Sequence, residues 1–236
     1  YYWEHQIAEF SRNHRCLVYN RRGHKGTEWT DYGFSLVNQA RDLGAIIEKL
    51  GIERPIIISL AFGTTIASQY AIDHPDKVAG MVIGAWSELY EAWKYLEVWT
   101  AATNRAVPVL EKEGREAFID LLRREGGRTI YRVIPRDDSP FREKVIQLMA
   151  CHPIELYRRG MLELGYSIPI LTPALSRLDL PVMGISGAND PYPDRPEMLA
   201  GMKNFFQAPA VPGAGRYVHW EQPEAFNAAV RKFIEK

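Results

Sequence analysis

The chain has 236 residues, of which 46% are hydrophobic and 25% are charged, as in ordinary globular proteins. Its formal net charge is +0 at pH 7, so the charge balance gives no reason to expect a nucleic acid or an anionic membrane as partner. No stretch approaches the roughly 20 apolar residues that a membrane span requires. These features indicate a globular protein with one sizeable core, and they leave the oligomeric state open, a homodimer included.

Two cysteines, Cys16 and Cys151, provide neither a disulfide framework nor the spacing of metal ligands. We therefore expect two buried thiols in a reducing compartment, which favours a cytoplasmic location and no metal. No signal peptide is visible. Because the chain begins at Tyr1 rather than at a methionine, a preceding segment remains compatible with the sequence.

The first half of the chain alternates between helical and strand-like patterns. Residues 3–12 predict a short helix, and the apolar run "RCLVYN" at 15–20 predicts a buried strand that leads into a glycine-rich turn. Residues 35–50 predict an amphipathic helix that ends at Gly51. Its apolar face is formed by residues three or four apart, namely Leu36, Ala40, Leu43, Ile47 and Leu50.

The remaining strands and helices continue this alternation. Short apolar runs predict strands at 55–59, 78–85, 181–187 and 205–211, with Pro209 favouring an edge position for the last of these. Helices are predicted from Phe62 to about Asp73, where Pro75 blocks continuation, and at 222–235. Strands that alternate with helices predict an α/β protein with a mostly parallel sheet covered on both faces.

The pattern changes between residues 87 and 177, a long stretch without a clear strand. We interpret it as an inserted all-helical subdomain, so that 1–86 and 178–236 form the α/β core. An aromatic-rich segment stands at its beginning, with Trp86, Trp93, Tyr95 and Trp99. These side chains suit a protein core and an apolar ligand site equally well.

Four segments in this order resemble motifs of the α/β-hydrolase superfamily. The family's strand-end signature is similar to residues 17–28, "LVYNRRGHKGTE". Its nucleophile elbow, together with the helix and the strand that follow, is similar to residues 58–86, "ISLAFGTTIASQYAIDHPDKVAGMVIGAW". "LPVMGISGANDPYP" at 180–193 resembles the loop of the catalytic acid, and "VPGAGRYVHWEQPEAFNAAVRKFI" at 211–234 that of the catalytic histidine. The resemblance implies the α/β-hydrolase fold, with the insert at 87–177 in the place of the family's helical cap.

The resemblance also implies strands that this sequence lacks. The family's first strands have no counterpart, and one of them lies centrally, between the segments that correspond to 15–20 and 55–59. We therefore expect the sequence to be a fragment of a longer chain, or another segment to fill the gap. Direct hydrogen bonding between 15–20 and 55–59 would contradict this expectation.

The residues at the catalytic positions depart from the family's pattern. Ala61 falls on the nucleophile, and its methyl group cannot attack a substrate. Asp190 matches the acid, and Arg216 stands in the place of the histidine. A guanidinium keeps its proton and cannot act as a base, but it can pair with Asp190 or bind an anionic or carbonyl ligand. A structural ion pair and a ligand-binding role are both open for Arg216.

Other positions around the implied site are assigned by the same resemblance. The backbone N–H of Phe62 would supply half of an oxyanion hole. His24 and Trp86 would lie at the pocket, and His219 near the pocket rim or at the surface rather than as a substitute base. Asn20 and Lys25 replace the aspartate and glycine that are usual in the strand-end signature.

The sequence leaves three functions open. The first is a diverged member that binds a small apolar carbonyl or ester compound in a capped pocket with little or no hydrolysis. The second is an esterase or lactonase inactivated at Ala61, which would leave Arg216, Lys25 and Asn20 unexplained. The third is a lyase, cyclase or oxygenase on the same scaffold, which, like the other two, would need no cofactor.

Overall fold

The computed structural model describes residues 2–137 and 140–235, apart from the side chain of Tyr95. The chain divides into two compact units. The first comprises residues 1–19, 40–91 and 169–236, and the second residues 20–39 and 92–168. The first unit carries a parallel sheet with helices, and the second is mainly helical. The predicted limits of core and cap stay a prediction.

A parallel sheet forms the centre of the first unit. Its strands are β1 (Ile56–Leu60), β2 (Gly80–Gly84), β3 (Val182–Ile185) and β4 (Phe205–Gln207), and their order in the sheet is β1-β2-β3-β4. All adjacent pairs are parallel, which confirms the predicted α/β class with a mostly parallel sheet. The strand predicted at 205–211 ends at Gln207, two residues before Pro209, and lies at the edge of the described sheet as expected.

The core of the first unit forms where the sheet meets the C-terminal helices. Every residue of β2 is buried, as expected for a strand covered on both faces. Val82 pairs in register with Met183, and both pack in one cluster with Phe226 and Val230 from near the C-terminus. Burying such side chains contributes about 1.5–3 kcal/mol each, which fixes the sheet beneath the loops at its carboxyl edge.

Ten α-helices occur among residues 2–137 and 140–235. In chain order they are α1 (Glu4–Phe10), α2 (Leu36–Lys49), α3 (Phe62–Asp73), α4 (Glu88–Lys112), α5 (Arg115–Glu125), α6 (Pro140–Ala150), α7 (Met161–Ser167), α8 (Thr172–Leu175), α9 (Val218–Glu221) and α10 (Pro223–Ile234). Short 3₁₀ turns span Pro75–Lys77 and Pro196–Leu199, and a π-helical turn spans Leu156–Gly160.

The helices begin and end where the sequence signals predict. Helix α2 is followed by Gly51 at φ 57°, in the left-handed region that glycine adopts without strain. Helix α10 has Pro223 in its first turn, where the missing N–H costs nothing. The helices predicted at 35–50, 62–73 and 222–235 are confirmed within two residues at each end.

The second unit is held together by its own contacts. Arg142 of α6 is almost fully buried and donates hydrogen bonds to backbone carbonyls of the α5 region, including those of Leu122 and Gly126. Phe118 of α5 stacks edge-on against Tyr157, with ring centroids 5.7 Å apart. The helical character predicted for 87–177 is confirmed. Among the described residues, none of the helices has the length and apolarity to cross a bilayer.

The strand predicted at 15–20 is wrong. These residues carry no strand, and Leu17 and Val18 are 38% and 48% exposed. Within the described residues β1 is hydrogen-bonded to β2 alone, so the run at 15–20 has no ladder that would make it a strand. Cys16 is consequently exposed rather than buried, while Cys151 is half-buried, and both thiols are free.

Close packing at the end of β2 gives a test of this sheet. A Cβ on Gly84 would lie 2.2 Å from Cδ2 of Leu60 and 3.1 Å from the carbonyl oxygen of Ile185. We expect Gly84→Ala to lower the free energy of unfolding by about 1–3 kcal/mol through overpacking, measured by urea denaturation. Gly201→Ala is the matched control, because a Cβ there meets nothing within 4 Å. Equal stabilities of the two variants would contradict the packing described at Gly84.

Candidate functional site

A strained turn joins β1 to α3. Ala61 adopts φ 51° and ψ −129°, a conformation that L-residues rarely occupy and that costs about 1–3 kcal/mol. Three hydrogen bonds hold it there: its N–H donates to the carbonyl of Gly84 at 3.0 Å, and its carbonyl accepts the N–H of Thr64 at 2.8 Å and the hydroxyl of Thr64 at 2.5 Å. The turn places Ala61 at the carboxyl end of β1 and Phe62 at the first position of α3.

The candidate residues of the first unit follow successive strands of the sheet. Ala61 follows β1, Trp86 follows β2, Asp190 comes after β3, and Arg216 comes after β4. Since all strands are parallel, their carboxyl ends meet at the same edge. Crevices at this edge are where open α/β sheets bind ligands.

Arg216 is the centre of a buried ionic cluster at this edge. Its side chain is 5% exposed. Nη1 lies 3.4 Å from Oδ1 and 3.3 Å from Oδ2 of Asp190, while Nη2 donates to Oε1 of Glu88 and to the carbonyl of Ala85. The guanidinium also lies over the ring of Tyr192, 5.3 Å from its centroid. These contacts support the structural ion-pair role that the sequence left open.

Sequence reasoning missed Glu88 as a member of the site. Its side chain is only 1% exposed and shares Arg216 with Asp190. The available signal was the polar pair Ser87–Glu88 directly after a fully apolar strand, where the carboxyl edge of the sheet gathers functional groups. The segment was instead assigned to the insert, whose predicted limit fell just before this pair.

The acids of this cluster hold their protons more tightly than ordinary carboxyls. Burial raises the pKa of Glu88 and of Asp190, and Arg216 opposes the rise in both. Burial and the charge of Asp190 raise the pKa of Asp194 to about 8. Asp194 accepts the N–H of Trp86 through Oδ1 at 2.7 Å. One guanidinium cannot neutralise three ionised carboxylates, so we expect Asp194 to be protonated at neutral pH.

His219 is not at the surface or at a rim, contrary to expectation. Its side chain is completely buried, and its ring centroid lies 4.4 Å from that of Tyr2 and 4.6 Å from that of Trp3. Nε2 lies 3.0 Å from the carbonyl of Tyr2, so this nitrogen carries the proton. Burial lowers the pKa of His219 to about 3. Its contacts anchor the N-terminal segment against α9, since Gln6 also donates to the carbonyl of His219.

The other predicted pocket residues are dispersed. Trp86 is completely buried and packs edge-on against Tyr90, with ring centroids 5.7 Å apart. His24 belongs to the second unit. The same unit contains a cavity of about 670 Å³ that is lined in part by Trp93. A cavity of about 920 Å³ in the first unit is lined by residues of β3, β4 and α10, with neither Arg216 nor Ala61 among them.

The parallel sheet and the strained strand–turn–helix define this chain as a hydrolase-type α/β protein. It belongs to the α/β-hydrolase fold family, whose model matches residues 1–132. It is 30% identical over 90 residues to a putative carbamate hydrolase RutD of Variovorax paradoxus, covering 37% of this chain and 34% of that protein. It is 24% identical over 245 residues to 3-oxoadipate enol-lactonase 2 of Acinetobacter baylyi, covering 99% of this chain and 84% of that one.

Solved structures agree with this assignment of the fold. A carboxylesterase structure from Nitrososphaera gargenis superposes with a TM-score of 0.78 at 20% identity, covering 99% of this chain and 85% of that one. The names of these three relatives are those of a carbamate hydrolase, an enol-lactonase and a carboxylesterase. The chain spans only about a third of the length of the carbamate hydrolase that it resembles.

The first prediction from the site concerns the buried charge of Arg216. We expect Arg216→Met to lower the free energy of unfolding by about 3–5 kcal/mol, because Glu88 and Asp190 lose their buried counter-charge. Adding Glu88→Gln and Asp190→Asn should recover most of the loss. The control is Arg105→Met, which breaks a solvent-accessible pair with Glu125 and should lower the free energy of unfolding far less. Similar losses for Arg216→Met and Arg105→Met in urea denaturation would refute the ionic role of Arg216.

The second prediction concerns pH. An acid whose pKa is raised to about 8 in the folded state binds more protons there than in the unfolded chain. Asp194 therefore makes stability fall as pH rises from about 4 to about 8, on the order of a few kcal/mol. Asp194→Asn should match the unchanged protein at pH 4 and exceed it in stability at pH 8.

Asp137→Asn, at an exposed position, is the control for this substitution and should leave the pH profile unchanged. The measurement is urea denaturation at pH 4, 6 and 8. If the difference in stability between Asp194→Asn and the unchanged protein is the same at pH 4 and at pH 8, Asp194 does not hold its proton as described.

Proposed function

We propose that this protein binds a small, largely apolar carbonyl or ester compound at the carboxyl edge of the sheet and hydrolyses it little or not at all. The observation that carries the proposal is the clamping of Arg216 between Glu88 and Asp190. A guanidinium in this position keeps its proton and orients no nucleophile. With Ala61 at the turn after β1, covalent acyl transfer lacks both its nucleophile and its base.

The elbow itself supports binding of a carbonyl group. Phe62 is the first residue of α3, so its backbone N–H stands at the positive end of a helix of 12 residues. Such a group is suited to polarise a carbonyl oxygen, and this does not require a nucleophile at position 61. The hydrolase names of the relatives supply the ligand class, because esters, lactones and epoxides are compounds of this size and polarity.

The proposal is tested by restoring the missing groups. Hydrolysis of p-nitrophenyl acetate and butyrate is measured for the unchanged chain, Ala61→Ser, Arg216→His and the double variant. We expect turnover above the buffer rate only in the double variant, together with covalent labelling of its introduced hydroxyl by a fluorophosphonate. Ester turnover by the unchanged chain within the usual enzyme range of about 1–10³ s⁻¹, lost in Asp190→Asn, would overturn the proposal.

Substitutions of Glu88 and Asp190 extend this experiment. A histidine introduced at position 216 would stand beside Glu88 as well as Asp190, and two carboxylates would hold it protonated. Adding Glu88→Gln to the double variant should therefore raise its activity at neutral pH. Adding Asp190→Asn instead should lower that activity by up to about 10⁴-fold, as loss of the orienting acid does in serine proteases.

Binding is measured separately from hydrolysis. Acetophenone, an apolar carbonyl compound without a hydrolysable bond, is titrated into the unchanged chain while the amide resonances of Phe62 and Gly63 are followed by NMR. We expect saturable shifts of both resonances. Shifts that are absent, or confined to residues around the 920 Å³ cavity of the first unit, would refute binding at the elbow.

A second candidate function is favoured by Asp194. Its Oδ2 is buried and has no hydrogen-bond partner among the described residues, and its raised pKa makes it a proton donor at neutral pH. A neutral acid beside the cluster suits a cofactor-free lyase or isomerase, in which it would donate to a developing enolate oxygen. Enolisation of acetophenone, followed by exchange of its methyl protons in D₂O, should then depend on Asp194 and be lost in Asp194→Asn.

A further inference from the structure

A second cluster of titratable groups lies wholly within the second unit. We call it the His24–His152 cluster, and it consists of Arg21, His24, Lys25, Arg115 and His152. The first three come from the glycine-rich loop that begins this unit, and the others from the start of α5 and the end of α6. None of them takes part in the ionic cluster around Arg216.

His24 is held in one neutral form by its contacts. Arg21 Nη2 lies 3.0 Å from Nε2 of His24, and a guanidinium can only donate, so Nε2 is the acceptor. The proton of His24 is therefore on Nδ1, which lies 3.2 Å from the carbonyl of Arg22. Burial and the charge of Arg21 lower the pKa of His24 to about 2. His24 thus serves to position the guanidinium of Arg21.

His152 lies against this arrangement. Its ring is T-shaped to that of His24, with centroids 4.8 Å apart. Its Nδ1 is buried and has no hydrogen-bond partner among residues 2–137 and 140–235. Such groups are rare in folded proteins, because an unsatisfied buried polar atom costs about 1–3 kcal/mol. This nitrogen therefore points to a ligand that can pair with it.

Three positive charges act on His152. They are those of Arg21, Arg115 and Lys25, and together with burial they lower the pKa of His152 to about 4. Arg115 Nη1 donates to the carbonyl of Ala150 at 2.5 Å, which fixes its guanidinium beside the segment that carries His152. Lys25 and Arg115 are exposed, so the cations lie open to solvent around a more deeply placed imidazole.

We propose that the His24–His152 cluster binds the oxyanion group of a small molecule, a phosphate or a carboxylate. The oxyanion would accept a hydrogen bond from the unpartnered Nδ1 of His152 and charge-assisted bonds from Arg115 and Lys25. It would also offset the mutual repulsion of three cations gathered around one imidazole. This site is independent of the function proposed for the elbow.

The test uses the whole chain and two anions of different geometry. Sulfate serves as the tetrahedral probe and trifluoroacetate as the carboxylate probe, because both keep their charge between pH 3 and pH 8, a range that includes the pKa of His152. The Cε1–H resonance of His152, assigned by its loss in His152→Gln, is followed against pH with and without each anion. A bound anion favours the imidazolium, so we expect the pKa of His152 to rise by about one unit or more.

The anion that raises the pKa of His152 more shows whether the site prefers a tetrahedral oxyanion or a carboxylate. Arg115→Gln and Lys25→Gln should each weaken binding about tenfold. Arg132→Gln, which removes an exposed arginine elsewhere in the same unit, should leave binding unchanged. Equal pKa values of His152 with and without both anions would overturn the proposal, as would equal weakening in Arg115→Gln and Arg132→Gln.

Discussion

The guanidinium of Arg216 ties together the loops at the carboxyl edge of the sheet. Glu88 follows β2, Asp190 follows β3 and Arg216 follows β4, so one cation joins three segments that are distant in sequence. All three side chains are almost fully buried, and a charge in such a place is tolerated only with partners. Removal of Arg216 alone would therefore leave two acids in the core without their counter-charge.

This coupling explains why the site tolerates an arginine where a base would stand. A neutral histidine beside two carboxylates would become charged, because opposite charges at short range favour the imidazolium. Arginine supplies that charge permanently and reaches both acids with one planar group. The electrostatics of the edge thus select a fixed cation over a group that must gain and lose protons. The same acids would oppose proton transfer by a histidine at position 216, whatever residue occupies position 61.

The sequence alone predicted the four strands of the described sheet, but it predicted the residues of the candidate site less completely. Continuous apolar runs predicted β1 to β4, because a strand covered on both faces needs no polar residue. The run at 15–20 is also largely apolar, but no neighbouring strand is present among the described residues to pair with it. Pairing between strands cannot be read from the pattern of one short segment. Motif order singled out Arg216 and Asp190 as candidates, and the catalytic positions given to them stay predictions, whereas Glu88 was missed because its pairing depends on a contact 128 positions away in the sequence. His219 was misplaced for the same reason, since its burial depends on Tyr2 and Trp3.

The turn at Ala61 is held by contacts of the backbone rather than by those of its side chain. An alanine at φ 51° stores strain that a glycine there would relieve. The turn is held by the hydrogen bond from Ala61 to Gly84, and Gly84 is itself fixed by close contact with Leu60 and Ile185. Packing of the sheet therefore enforces the conformation, whatever side chain Ala61 carries. The same turn keeps the N–H of Phe62 at the start of a helix, because the position of that group depends on the backbone and not on the side chain of Ala61.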